Sequence, residues 1–150
     1  MLTGVRLLHP GILEALAAAG HGSQVLIADG NYPASTTLGP NAALVHLNLS
    51  PDVVRVTDVL EVLLDVLPVE GAAVMAYDTA GPHRLTADRP IWTEFRRLLA
   101  EAGSEAELQP IERLQFYEQA RGPDMALVVA TADRRLYANL LLTVGAVLFD

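Results

Sequence analysis

Residues 20–35 of the chain read GHGSQVLIADGNYPAS, and the apolar run QVLIAD occupies positions 24–29. A short apolar run with β-branched residues, bounded by turn-forming segments, predicts a buried strand. The segment GILEALAAAG at 11–20 precedes this strand. Its apolar residues have helical spacing, and Gly20 is placed to end the helix. A helix followed directly by a buried strand is typical of an α/β fold.

Apolar segments and turn-forming residues alternate along the rest of the chain. Further strands are predicted at 43–49, 71–78, 105–114 and 124–133. Helices are predicted from Thr57 onward and at 91–103. Pro110 predicts that its strand lies at a sheet edge or contains a bulge. Helices alternating with apolar strands predict an α/β sandwich with a partly parallel sheet.

Two segments fit more than one structure. FYEQAR at 116–121 predicts a short turn or a helix, and LYANLLLTVGAVLF at 136–149 fits either a helix or a strand. The chain has 150 residues, of which 51% are apolar, enough for one sizeable core. We therefore expect a single domain, residues 1–150.

Charge and composition exclude several classes of partner. The formal net charge of -8 argues against nucleic acids and anionic membranes, which bind basic surfaces. The absence of cysteine excludes disulfides, thiolate metal sites and a thiol nucleophile. Because no histidine pair has the spacing of a metal site, no metal is predicted. The apolar stretches are shorter than the ~20 residues of a membrane span, and no signal peptide is evident, so we expect a cytoplasmic protein.

His21 lies between Gly20 and Gly22, on backbone that allows a ligand to approach closely. One interpretation is a cation at the carboxyl terminus of a helix, which the helix dipole favours. The other is a general acid or base, because imidazole titrates near neutral pH. The local sequence leaves both interpretations open.

Asp29 directly follows the predicted strand at 24–29, where α/β proteins place binding residues. An Asx turn is the favoured interpretation, since Gly30 and Asn31 come next. The alternative is a carboxylate that accepts hydrogen bonds from ligand hydroxyls.

Two further groups of polar residues also fit purely structural roles. Arg113 and Tyr117 could belong to the surface of an edge strand, and Tyr137 could be a core residue beside a capping Asn139. The segment GHGSQV lacks the third glycine of a dinucleotide-binding loop and precedes a strand instead of a helix. Nucleotide binding is therefore disfavoured.

Taken together, three segments carry a resemblance to a known family. HPGILEALAAAGHGSQVLIADGNYPAS at 9–35, RLQFYEQA at 113–120 and LYANLLLTVG at 136–145 resemble the fucose mutarotase and ribose pyranase family almost end to end. The resemblance implies a three-layer α/β/α sandwich with a mostly parallel sheet. It also implies a cofactor-free enzyme that interconverts anomers or ring forms of free monosaccharides. Ring-like homo-oligomers, often decamers, with sites completed between neighbouring subunits, are implied as well.

The resemblance also implies roles for individual residues. It assigns catalysis to His21 and to Tyr117, which matches a tyrosine near the sugar in the fucose branch. It assigns sugar binding to Asp29, Arg113, Tyr137, Ala138 and Asn139. From these assignments we expect the glycines to expose His21 to the same cleft that receives Asp29 at the strand end.

The segment RLQFYE is similar to the fucose branch, and Ser23 departs from the family pattern. The family usually has an acid at that position, two residues after the histidine. Its replacement predicts a less basic His21, and hence weaker activity or a different sugar. The expected activity is mutarotation of L-fucose or a related sugar by acid–base ring opening. A non-catalytic sugar-binding oligomer and a ribose pyranase type of activity are the alternatives.

Overall fold

Helices and strands alternate along the protein in a computed structural model that describes residues 1–82, 84–85 and 87–149. The described residues form four helices, α1 (Pro10–Ala18), α2 (Val56–Leu64), α3 (Pro90–Glu101) and α4 (Arg113–Ala120). The six strands are β1 (Gln24–Ala28), β2 (Ala43–His46), β3 (Val69–Met75), β4 (Leu108–Ile111), β5 (Met125–Ala130) and β6 (Leu140–Val144). In the described part of the chain, no helix has both the length and the apolar character needed to cross a membrane.

The six strands form one sheet in the order β2-β5-β1-β6-β3-β4. Only β6 runs antiparallel to its neighbours β1 and β3, so the other five strands share one direction. This confirms the predicted mostly parallel sheet. The strand predicted at 24–29 is internal, and Val25 to Ala28 are fully buried. Burial on both faces explains why the run is continuously apolar and does not alternate.

The sheet separates two apolar clusters, which makes three layers. On one face, the larger core cluster joins the sheet to α1, α2 and α3. On the other face, the smaller core cluster joins it to α4 and to the loop after β1. Val25 and Ile27 point into the larger cluster, and Leu26 into the smaller, as the two-residue period of a strand requires. The three-layer α/β/α sandwich is therefore confirmed.

The region of 105–121 differs from its prediction in where the strand ends. Strand β4 stops at Ile111, and Pro110 lies on an outer strand as expected. Glu112 then caps α4, because its carboxylate accepts hydrogen bonds from the backbone N–H groups of Leu114 and Gln115. Arg113 and Tyr117 consequently belong to a helix, and the edge-strand interpretation of these two residues is wrong.

The parallel strands give the sheet two chemically distinct ends. We call the end at which the five parallel strands begin the amino end, and the end at which they finish the carboxyl end. His21 precedes β1 and lies at the amino end, whereas Asp29 follows β1 and lies at the carboxyl end. The antiparallel β6 begins at the carboxyl end, so the segment before it is brought beside Asp29.

Candidate active site

An open cavity of about 490 Å³ lies at the carboxyl end of the sheet. Four of the predicted site residues line it, namely Asp29, Tyr117, Tyr137 and Asn139. They come from the loop after β1, from α4 and from the segment before β6. The volume of the cavity falls within the usual range of small-molecule pockets, about 300–1,000 Å³. The structure thus brings together residues that are separated by up to 110 positions in sequence.

Asp29 and Asn139 form a reciprocal pair in the floor of this cavity. The Asn139 amide Nδ2 donates to Asp29 Oδ2 at 3.0 Å, and the Asp29 backbone N–H donates to Asn139 Oδ1 at 2.8 Å. The Asn31 backbone N–H donates to Asp29 Oδ1 at 2.9 Å, which forms the expected Asx turn. Burial raises the pKa of Asp29 above its usual value, and the hydrogen bond from the Asn31 backbone N–H opposes that rise. The Asp29 carboxylate can therefore form the Asx turn and also face a ligand in the cavity.

Replacing Asn139 with alanine should destabilise the fold as well as the cavity. The buried carboxylate and the backbone N–H of Asp29 would each lose a partner, so we expect Asn139→Ala to lower the free energy of unfolding by about 3 kcal/mol. Urea unfolding would measure this difference. Asn41→Ala is a matched control, because Asn41 is exposed and its amide bonds the Pro123 carbonyl at the surface. If Asn139→Ala lowers the free energy of unfolding no more than Asn41→Ala does, the pairing of Asn139 with Asp29 is contradicted.

Aromatic rings form the walls of the cavity. The Tyr117 ring stacks on the buried Tyr32 ring, with centroids 5.6 Å apart and planes inclined by 22°. Tyr137 lines the cavity from the segment before β6. A pyranose has apolar C–H faces and a hydroxylated edge, so flat rings beside a carboxylate and an amide suit it chemically. Tyr32 was not singled out from the sequence, although it follows Asp29 by only three positions.

Arg113 and Ala138 are not among the residues that line the cavity. Arg113 is exposed in the first turn of α4, one helical turn before Tyr117 and therefore on the same side of the helix. The Ala138 side chain is buried in the larger core cluster, away from the cavity. Its backbone N–H lies where it lowers the pKa of Asp29. The Ala138 side chain offers nothing to a ligand.

His21 lies at the amino end, and an acid from another strand orients its ring. Its Nε2 is 2.9 Å from both carboxylate oxygens of Glu70, which is near the start of β3. Both side chains are substantially exposed. Because Nε2 faces the carboxylate, Nδ1 is the nitrogen left to exchange a proton with a ligand. Glu70 thereby supplies an acid beside His21 even though Ser23 occupies the position where the family usually has one.

Glu70, like Tyr32, was not singled out from the sequence. It is 49 positions from His21, and the strand β6 lies between β1 and β3 in the sheet. The segment Pro68-Val69-Glu70-Gly71 shows an acid directly before the strand predicted at 71–78, which is an ordinary solvent-facing position. Only the strand order, which local patterns do not contain, shows that the two side chains meet.

One chain does not bring His21 and Asp29 to the same ligand. Strand β1 separates them, and its five residues alone span about 16 Å at about 3.3 Å per residue. The expectation of a shared cleft is therefore wrong for a single chain, because residues before and after one strand lie at opposite ends of the sheet. A ligand that touches both must lie between two copies.

The fold and the cavity define a small α/β protein with a site for a compact polar ligand at the carboxyl end of its sheet. The model of the RbsD / FucU transport protein family matches residues 4–147, and the chain belongs to this family.

Named relatives and a solved structure agree with this membership. The chain is 37% identical to the fucose mutarotase of Homo sapiens over 146 residues, which cover 93% of this chain and 89% of the human protein. It is 35% identical to the fucose mutarotase of Danio rerio over 147 residues, with 93% and 90% covered. The crystal structure of FucU from Bifidobacterium longum is 32% identical and superposes with a TM-score of 0.78, covering 97% of this chain and 100% of that one.

Proposed function

We propose that the protein is a cofactor-independent mutarotase that interconverts the anomers of free L-fucose or a related monosaccharide. The observation that carries the proposal is the cavity in which a buried carboxylate–amide pair, Asp29 with Asn139, stands beside two tyrosine rings. This arrangement can hold a neutral sugar by its hydroxyls and by its apolar face. Relatives that are fucose mutarotases over about nine-tenths of both chains support the same substrate class.

We further propose that each active site is completed by two copies of the chain. One copy contributes the carboxyl-end cavity, and its neighbour contributes the amino end with His21 and Glu70. Contacts between unlike surfaces of identical subunits close into a ring when the rotation between copies permits. We therefore propose a ring-like homo-oligomer, with ten subunits as the family resemblance implies, acting in the cytoplasm.

Mutarotation requires two proton movements that these residues can supply. A base removes the proton of the anomeric hydroxyl while an acid protonates the ring oxygen, so that the C1–O5 bond breaks and an open-chain aldehyde forms. The aldehyde rotates, and reversal of the two transfers closes the ring with the opposite configuration. His21 acts through Nδ1 as one proton carrier, and the Tyr117 hydroxyl acts as the second. Each positioned acid or base contributes about 10²- to 10⁴-fold.

Magnetisation-exchange NMR on α- and β-L-fucose tests the proposed activity directly. We expect the wild-type protein to accelerate anomer exchange, and His21→Ala to reduce that acceleration by at least about 100-fold. The variant should still bind L-fucose weakly, because the carboxyl-end cavity is intact.

Binding of L-fucose by the wild type without accelerated exchange would refute the mutarotase proposal in favour of a non-catalytic sugar-binding oligomer. D-ribose measured under the same conditions distinguishes the two branches of the family. Acceleration with ribose and none with fucose would indicate a ribose pyranase type of activity.

A further inference from the structure

Tyr137 has a backbone conformation that needs external support. Its φ is 60°, in the left-handed region that residues with a Cβ rarely adopt. Such conformations persist where the surrounding structure holds them, and they are concentrated at ligand sites. Tyr137 lines the carboxyl-end cavity and precedes Asn139 by two positions. Whatever holds Tyr137 therefore also bears on the Asp29–Asn139 pair.

The support comes from the first turn of α3. The indole N–H of Trp92 donates to the Tyr137 carbonyl at 3.0 Å, and Trp92 is only 2% exposed. The Tyr77 ring stacks on the Trp92 indole, with centroids 5.3 Å apart, and the Tyr137 ring meets Tyr77 edge-on at 6.0 Å. A buried indole N–H requires an acceptor, and here the acceptor is the carbonyl of Tyr137, whose backbone in the cavity wall is strained.

We propose that Trp92 is a positioning residue for sugar binding, an inference that rests on the proposed function. It lies behind Tyr137 in the larger core cluster, and it acts through the Tyr137 carbonyl. The hydrogen bond holds the segment Tyr137–Asn139 in the shape that places the tyrosine ring and the asparagine amide in the cavity. Without it, the strained turn relaxes toward a conformation with negative φ, and both groups move.

The substitution Trp92→Phe removes the indole N–H and keeps an aromatic ring in the core. We expect KM for L-fucose in the anomer-exchange reaction to rise about tenfold, the effect of one buried hydrogen bond. The value of kcat should stay within about threefold, because the proton carriers His21 and Tyr117 are not displaced. A general loss of stability would not raise KM while leaving kcat nearly unchanged.

A matched control separates positioning from stability. Phe95 is one turn further along α3, is fully buried and belongs to the same core cluster. Phe95→Leu should lower the thermal unfolding midpoint while KM for L-fucose stays within about twofold. An unchanged KM in Trp92→Phe, or an equal rise of KM in Phe95→Leu, would overturn the inference.

The wild-type protein allows a second measurement, which does not depend on the folding of any variant. Trp92 is the single tryptophan of the chain, so the intrinsic fluorescence reports its indole alone. Titration with L-fucose should change the emission with a midpoint near KM. A wild type that exchanges anomers with no change in emission refutes the role of Trp92. A wild type that neither binds nor exchanges L-fucose refutes the proposed function itself, and the inference with it.

Discussion

Two inactive variants, His21→Ala and Asp29→Asn, are expected to recover about one quarter of the wild-type anomer-exchange activity after their subunits are mixed in equal amounts and allowed to exchange. A site is intact when its cavity comes from a His21→Ala subunit and its histidine from an Asp29→Asn subunit. Random assembly produces this pairing with a probability of about one half times one half. Each variant alone should lack activity, because every site in it has lost one essential group.

The structural reason for this recovery is the position of the two residues relative to β1. His21 precedes the strand and Asp29 follows it, so about 16 Å of strand keeps them from meeting within one chain. Magnetisation-exchange NMR on L-fucose measures the recovered activity, and fluorescently labelled subunits measure whether exchange took place. Each variant taken through the same protocol alone is the control. Full subunit exchange without recovered activity would show that the two residues do not act in one shared site.

Local patterns were sufficient for most of the fold because they report burial. Residues 25–28 are continuously apolar because α1, α2 and α3 cover one face of β1, and α4 and the loop after β1 cover the other. Pro110 indicated an outer strand because proline cannot donate to a neighbouring strand. In contrast, the sequence left residues 116–121 open between a turn and a helix, because α4 buries only Phe116 and Ala120 and so shows little apolar periodicity.

The site was less predictable, since its geometry depends on strand order. Asp29 and Asn139 meet because the antiparallel β6 begins beside the end of β1, and His21 meets Glu70 because β6 is followed in the sheet by β3. Neither contact leaves a local signature. The prediction that His21 and Asp29 share a cleft could have been corrected from the sequence itself, because any strand between two residues places them at opposite ends of a sheet.

Removing the Glu70 carboxylate should reduce kcat for anomer exchange by about 100-fold in Glu70→Ala and by about tenfold in Glu70→Gln. Both carboxylate oxygens contact Nε2 of His21, so the acid holds the imidazole with Nδ1 outward and stabilises the positive charge that the ring gains when it accepts a proton. Glutamine retains a hydrogen-bond acceptor and loses the charge, which explains its intermediate effect. Glu61→Ala, which removes an exposed carboxylate on the helix α2, should retain full activity.

Mixing Glu70→Ala subunits with subunits of the other two variants tests at which end of the sheet Glu70 acts. Glu70 and His21 belong to the same amino end. Mixing Glu70→Ala subunits with Asp29→Asn subunits should therefore recover about one quarter of the wild-type activity. Mixing Glu70→Ala subunits with His21→Ala subunits should give no activity beyond the residual activity of Glu70→Ala. Recovery with His21→Ala would mean that Glu70 acts from the opposite subunit, which contradicts the 2.9 Å contact within one chain. The pattern of recovery thus tests the geometry of the site without a structure of the oligomer.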